Sequence, residues 1–359
     1  MLEQSVTTSY EPETGAAKSR DEVGLSAHAP TVSVVIPCFN EERFIGKVLE
    51  NLVSQYEAGR LEIIVVDGMS TDATREVVSR FIEERPELNV RLVDNPARNI
   101  PTALNVGIEH AKGDIIVRMD AHSIPSANYV RRSVELLNNG DAAVVGMPWR
   151  IQPGTNTLTA RAIALAVSHP FGIGDAKYRQ QNLSSAQVVD TVPFGVFRKE
   201  LWREAGRFNE NLLSNEDYDF HYRVRQTGGR ILLDAEGHST YFARGTLKEL
   251  AAQYFRYGKW KAQMIKLHPA SLRLRQTVAP LFVASLVFLA LLSIWWPLAF
   301  VPLLAIIMLY TLLASVVALK LSAKAGDFKL ALVIPLAFFI IHVVWGSGFL
   351  LGLVHSPRR

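Results

Sequence analysis

The chain has 359 residues, with 38 Lys and Arg against 34 Asp and Glu, for a formal net charge of +4. Residues 278–359 hold five of the basic groups and one acid, so the excess belongs to the tail and the first 277 residues are neutral. A neutral body argues against a nucleic-acid partner, the 49% hydrophobic content against a disordered or fibrous chain, and the lone Cys38 against an internal disulfide.

Residues 1–30 are polar and mixed in charge, with no apolar run of a secretory signal. They are expected to form a disordered lead ending at Pro30. Strands are expected at 32–36, closed by Pro37, and at 61–66, 90–93 and 115–117. Helices are expected at 42–56, 74–84 and 101–111. In the first helix Phe44, Ile45, Val48, Leu49, Leu52 and Val53 recur at helical spacing. Short apolar strands between amphipathic helices imply an α/β fold, with a mostly parallel sheet covered on both faces. Ligands of such sheets bind beyond the carboxyl ends of the strands. Asn40 and Glu41 follow the first strand, Asp67 the second and Asp120 a later one.

Five segments then line up in one order. They are Val34-Val35-Ile36-Pro37-Cys38-Phe39-Asn40-Glu41, Ile64-Val65-Val66-Asp67-Gly68, Ala103-Leu104-Asn105-Val106-Gly107 with Lys112-Gly113-Asp114, Met119-Asp120-Ala121-His122, and Gly206-Arg207-Phe208-Asn209-Glu210 with Asn215-Glu216-Asp217-Tyr218-Asp219. Together, over about residues 31–235, they resemble the family 2 glycosyltransferases, and the chain with its apolar tail is similar to the membrane enzymes of exopolysaccharide assembly. The resemblance implies a nucleotide-sugar-binding sheet of the GT-A type. It implies that Pro37, Asn40, Glu41, Asp67 and Asp120 bind the donor nucleotide. Asp72 has two readings, a ligand contact and a helix cap, of which the cap is favoured.

Asp120-Ala121-His122 stands where the family has Asp-x-Asp. By that resemblance Asp120 and His122 hold a divalent cation, Mn or Mg. The imidazole favours Mn, since Mg prefers oxygen ligands. By the same resemblance Asp217 is the catalytic base and Glu216 a neighbouring acceptor contact, which implies inversion in one displacement. Acids at a helix start also serve as dipole partners, but Glu216, Asp217 and Asp219 exceed what capping needs. Phe194-Gly195 reads equally as pocket wall and as a strand with a glycine bend. The segment His169-Pro170-Phe171-Gly172-Ile173-Gly174 has no assigned role.

Gln253-Tyr254-Phe255-Arg256-Tyr257 resembles the Gln-x-x-Arg-Trp motif of processive synthases, which implies that Gln253, Arg256 and Tyr257 contact acceptor or diphosphate. The same stretch places Leu250, Tyr254, Tyr257, Trp260, Met264 and Leu267 on one side of a basic interfacial helix. Residues 278–296, 298–319 and 330–354 are apolar runs, each long enough to cross a hydrocarbon core of about 30 Å. Arg256, Lys259, Lys261, Lys266, Arg273 and Arg275 precede the first run, and Lys320, Lys324 and Lys329 follow the second. Both sets place the body on the cytosolic side, and each residue near anionic headgroups would add about 1 kcal/mol of attraction. Arg358 and Arg359 then end outside, so the third run, with Gly346-Ser347-Gly348, either crosses or stops short. His342 within it is a functional candidate by its position, or a packed polar residue.

The domain reading is a lead at 1–30, a catalytic domain at 31–245, an interfacial helix at 246–276 and a membrane domain at 277–355. The expected activity is transfer of a hexose from a UDP-linked or other nucleotide sugar onto a lipid-linked saccharide acceptor at the cytoplasmic membrane. Alternatives are transfer to polyprenyl phosphate, processive synthesis, and an inactive scaffold of the same fold.

Overall fold

The computed structural model describes residues 31–57, 59–180 and 183–355; the expected lead at 1–30 and Arg358 and Arg359 lie outside the described residues. The β-branched runs form β1 (Val32–Cys38), β2 (Leu61–Asp67), β3 (Asn89–Asp94) and β4 (Ile115–Arg118), with α1 (Ile45–Leu52), α2 (Thr74–Glu84) and α3 (Ile100–His110) between them. β1 pairs in parallel with both β2 and β4, and β2 with β3. β1 runs on through Pro37, which sits opposite Val66, so the proline does not end the strand.

Alternation along β1 sorts the two faces. Val34 and Ile36 pack with Ile45, Val48, Leu49 and Leu52 of α1, whereas Val35 packs with Leu104 and Ile108 of α3. Each such fully buried side chain contributes about 1.5–3 kcal/mol of transfer free energy before ordering entropy is counted. Gly107 makes the close approach of α3 possible, because a Cβ there would fall 2.4 Å from Val35 Cγ1.

The chain continues through β5 (Ser123–Pro125), α4 (Tyr129–Asn138), β6 (Val144–Gly146), β7 (Trp149–Pro153), α5 (Leu158–Ala166) and α6 (Pro170–Ile173). Then come β8 (Gln187–Val188), β9 (Val196–Arg198), α7 (Lys199–Glu204), α8 (Glu216–Gln226), β10 (Ile231–Leu233) and β11 (Ser239–Ala243). The eight-stranded sheet has the order β3-β2-β1-β4-β9-β6-β10-β8, and β5-β11-β7 form a second sheet. β9 is antiparallel to both β4 and β6, so the main sheet is mixed but mostly parallel.

The remaining helices are α9 (Leu247–Leu267), α10 (Arg275–Trp295), α11 (Phe300–Lys324), α12 (Leu330–Phe339) and α13 (Trp345–Val354). Three helical segments, Arg275–Trp295, Pro297–Lys324 and Leu330–Val354, are long and apolar enough to cross a membrane. The third stays helical through a π turn at Ile340–Val344, and its 25 residues are enough for a full crossing, about 37 Å long.

The glycines that suggested a short third segment serve packing instead. A Cβ at Gly348 would lie 2.4 Å from the Phe255 carbonyl oxygen, one at Gly352 2.6 Å from that of Lys259, and one at Gly258 2.1 Å from that of Trp345. Small residues here bring α9 and α13 into backbone contact. On the basic face of α9, Lys261 packs over the Tyr218 ring of α8 and is 3% exposed. His342 is a packed polar residue: its Nε2 donates to the Phe171 carbonyl and its Nδ1 accepts from Tyr310 Oη, each at 2.9 Å. Through Phe171, the unassigned segment 169–174 docks the body onto α12.

Candidate active site

Two loops at the carboxyl ends of β1 and β2 are tied to each other. Asn40 has φ 56°, a left-handed conformation that Asn tolerates. Its N–H donates to Ser70 Oγ at 2.9 Å, and its Oδ1 accepts from the Thr71 N–H at 2.8 Å. Asp67 is fully buried and accepts from the Ser70 N–H at 3.0 Å and from Arg75 Nη1 at 2.7 Å. Asp72 accepts from the Thr74 N–H at 3.0 Å and so serves the start of α2. Pro37 lies in β1 just before these loops.

Glu41 and His122 meet across the sheet end, with Oε1 2.9 Å from Nδ1. Burial opposes the charged imidazole, but the hydrogen bond it donates to Glu41 and the charge of Asp120 raise the His122 pKa overall. A carboxylate on one ring nitrogen fixes the tautomer and leaves the other nitrogen as donor atom, which is the usual support of a metal-binding histidine. Among the described residues no three His, Cys, Asp or Glu side chains converge as a cation cage. Asp120 and His122 offer at most two protein donor groups here.

The centre of the site is Arg118, at the end of β4. Its side chain is 6% exposed and faces three carboxylates: Asp120 at 3.2 Å, Glu216 at 3.3 Å and Asp217 at 3.0 Å. Burial opposes its charge, and the three acids more than offset that, so it stays a cation. Its backbone is held by the Gly195 carbonyl at 3.1 Å, and its guanidinium lies 5.3 Å from the Phe194 ring centre. Phe194-Gly195 thus forms a wall beneath the cation.

Glu216 and Asp217 open α8 rather than precede it, and Asn215 before them is left-handed at φ 67°. Burial pushes Asp217 up to about 7; Arg118 opposes this, while Glu216 and Asp120 add to it. Burial raises Glu216 as well, again against Arg118. A carboxyl group that titrates near neutral pH is suited to general base work.

The other wall is α9, started by a capping box between Thr246 and Glu249 that the Thr-x-x-Glu spacing signals. Gln253 is buried and gives its amide to Tyr241 Oη and Tyr257 Oη, both at 3.0 Å. It positions Tyr257. Arg256 is exposed, lies 6.0 Å from the Tyr257 ring centre, and its charge reaches Glu216. Asp120, Glu216 and Asp217 are thus gathered on one cation, with Glu41–His122 and Arg256 beside them.

Two of the motifs are structural. Asn105 Oδ1 accepts from the Phe208 N–H at 3.0 Å and Trp202 Nε1 at 3.2 Å, and its Nδ2 donates to the Phe208 carbonyl at 2.9 Å and to Glu210 at 2.8 Å. The Asn105 segment and the Gly206–Glu210 segment are two halves of one clasp.

Comparison with known proteins agrees with this fold. The family model described as Glycosyl transferase family 2 matches residues 33–205. The chain is 32% identical over 330 residues to the succinoglycan biosynthesis protein ExoA of Rhizobium meliloti, covering 91% of this chain and 96% of that one. The chain belongs to the family 2 glycosyltransferases. It is also 25% identical over 329 residues to the dolichyl N-acetyl-alpha-D-glucosaminyl phosphate 3-beta-D-2,3-diacetamido-2,3-dideoxy-beta-D-glucuronosyltransferase of Methanococcus voltae, covering 90% of this chain and 97% of that one. The mannosyltransferase PcManGT of Pyrobaculum calidifontis, solved with GDP-Man and Mn2+, shares the fold with a TM-score of 0.56 at 20% identity, over 91% of this chain and 87% of that chain. Within this family 2 glycosyltransferase, Arg118 is the site residue that sequence reading missed. Its signal is an arginine closing an otherwise apolar strand, two residues before Asp120.

Proposed function

We propose that the chain transfers a hexose from a nucleotide sugar, UDP-linked, onto a lipid-linked saccharide acceptor, with inversion, in exopolysaccharide or other cell-surface glycan assembly. The observation that carries this reading is the gathering of Asp120, Glu216 and Asp217 around Arg118 beyond the strand ends, on a body joined through α9 to three apolar helices. The nearly full-length likeness to a succinoglycan biosynthesis protein supports the pathway class.

The donor nucleotide rests on the β1 and β2 loops, with Pro37, Asn40, Glu41 and Asp67 lining its base and ribose and Asp120 its diphosphate side. Asp120 and His122 would hold a divalent cation, Mn in preference to Mg. When bound, such an ion neutralises the charge of the departing diphosphate. Asp217 accepts the proton of the attacking acceptor hydroxyl, and Glu216 holds that hydroxyl in line. The new bond forms on the face opposite the leaving group, so an α-linked donor yields a β-linkage. Arg118 keeps three acids together that would otherwise repel one another. Tyr257, held by Gln253, and Arg256 close the acceptor side. The body lies on the cytosolic face of a multi-pass membrane protein.

The test is incubation of membranes carrying the full chain with labelled nucleotide sugars and lipid-linked saccharides, with and without Mn2+. Transfer to the lipid fraction with an inverted linkage is expected. If no donor is consumed or hydrolysed, the reading fails.

A further inference from the structure

A second group of charges lies one residue beyond the proposed base, and the proposed transfer chemistry does not use it. Tyr218 follows Asp217, and its hydroxyl donates to Asp190 Oδ2 at 3.0 Å. The same oxygen receives Arg275 Nη2 at 3.0 Å, with Arg273 Nε at 3.7 Å. Lys261 reaches in from α9, with Nζ 3.4 Å from the Tyr218 ring centre. The acceptor placed for that ammonium is the Met264 sulfur, at 3.3 Å. The fields of Arg225, Arg273 and Arg275 all act on Lys261, against that of Asp190. Lys261, Arg273 and Arg275 thus share one inner carboxylate, with Arg225 near Lys261; Asp175, on the outside, binds Arg275, and Asp219 is taken by Arg223 and His268.

The group also has unused hydrogen-bonding capacity. Among the described residues, Arg225 Nε and Ser271 Oγ are buried with no hydrogen-bond partner. Ser271 is 3% exposed and borders the cluster, since its carbonyl lies 3.4 Å from Tyr218 Oη. A buried ammonium without a carboxylate in contact is costly, and so is each unpaired buried donor. Burial, with the three arginines against Asp190, pushes Lys261 down to about 7. An entering anion with several acceptor oxygens would relieve the cost of the Lys261 ammonium. A phosphoryl group has that charge and that number of acceptors. The location is as informative as the charge: Arg275 is the first residue of the first apolar span, so the cluster lies where a lipid headgroup would sit.

We propose that Lys261, Arg273 and Arg275, with Tyr218, bind the phosphate of the lipid-linked acceptor and so set the distance from the lipid to Asp217. This rests on the lipid-linked acceptor of the proposed function. The same chemistry would also accept the phosphate of a bulk anionic phospholipid, and the experiment separates the two.

The full chain in detergent micelles is titrated by thermophoresis with polyprenyl phosphate, with the phosphate-free polyprenol and with phosphatidylglycerol. Polyprenyl phosphate is expected to bind at least about tenfold tighter than either control. Lys261→Met should weaken it about tenfold and Lys261→Arg should restore it, with nucleotide-sugar affinity unchanged in both. Arg273→Gln should weaken it about threefold; that side chain is 52% exposed, so its loss does not threaten folding. Equal affinity for polyprenol and polyprenyl phosphate, or unchanged affinity in Arg273→Gln and Lys261→Met, overturns the proposal. Equal affinity for phosphatidylglycerol assigns the cluster to bulk headgroups and also overturns it. Lys261-dependent binding of polyprenyl phosphate without any sugar transfer would leave the site standing and sink the proposed function instead.

Discussion

The guanidinium of Arg118 lies 3.0 Å from the carboxylate of Asp217, and the same guanidinium also reaches Asp120 and Glu216. One buried cation therefore sets both the position and the proton affinity of the proposed base. Removing it leaves buried carboxylates unpaired, which costs roughly 3–5 kcal/mol. Arg118→Lys keeps the charge and loses the planar fork that serves three acids. Its kcat is expected to fall about a hundredfold with donor affinity nearly intact. Steady-state kinetics with separate donor titration measures this, and an unchanged kcat contradicts it.

The pH profile follows from Asp217. Its folded pKa is raised to about 7. A base must be deprotonated to act, so activity is present above that value and is lost as pH falls through it. The log of kcat/KM should drop with unit slope below about 7. Arg118→Lys, with its looser contact, should move that limb to higher pH. A flat profile down to pH 5 removes Asp217 from the role.

His122→Ala is expected to lower activity and to change the preference between Mn2+ and Mg2+, because it removes the imidazole and strands Glu41 beside Asp120. Metal titrations of wild type and variant measure it. An unchanged Mn2+ dependence would dismiss His122 as a ligand.

Asn105→Ala should act on stability alone. It breaks a clasp of four hydrogen bonds to Phe208, Trp202 and Glu210 and leaves buried groups unpaired. A loss of roughly 2–3 kcal/mol is expected, with kcat per folded molecule unchanged. Denaturation of the purified chain with parallel kinetics separates the two effects.

The parallel sheet and the order of the site acids were legible because each depends on local pattern. A short β-branched run at 32–36, buried on both faces, and an acid just past a strand end need only neighbours in sequence. Arg118 was not legible as a hub, because its partners Glu216 and Asp217 lie on α8, almost a hundred residues later. Asn105 and Phe208 are likewise far apart in the chain, and only their contact shows that two motifs form one clasp. Lys261 was read as facing headgroups because its helix is amphipathic. Its ammonium instead packs over the Tyr218 ring of α8, a contact no local pattern signals. The glycines of the third apolar run suggested weakness in a span, whereas they are contact points.

Gly348→Leu should therefore separate α9 from α13. With the Phe255 carbonyl 2.4 Å from where even a Cβ would lie, the helices must move apart, at a cost of about 3 kcal/mol or more. Gln253, Arg256 and Tyr257 would shift with α9. Transfer is expected to fall at least about tenfold while nucleotide-sugar binding, which uses the β1 and β2 loops, is kept. Equal loss of both would place the damage in the fold as a whole.

The central claim is that Asp217 takes the proton from the acceptor hydroxyl. Its most direct test is single-turnover sugar transfer by Asp217→Asn alongside calorimetric binding of the nucleotide sugar. The account predicts donor binding within about twofold of wild type and transfer reduced about a thousandfold or more. Transfer within tenfold of wild type, with donor bound, would contradict it.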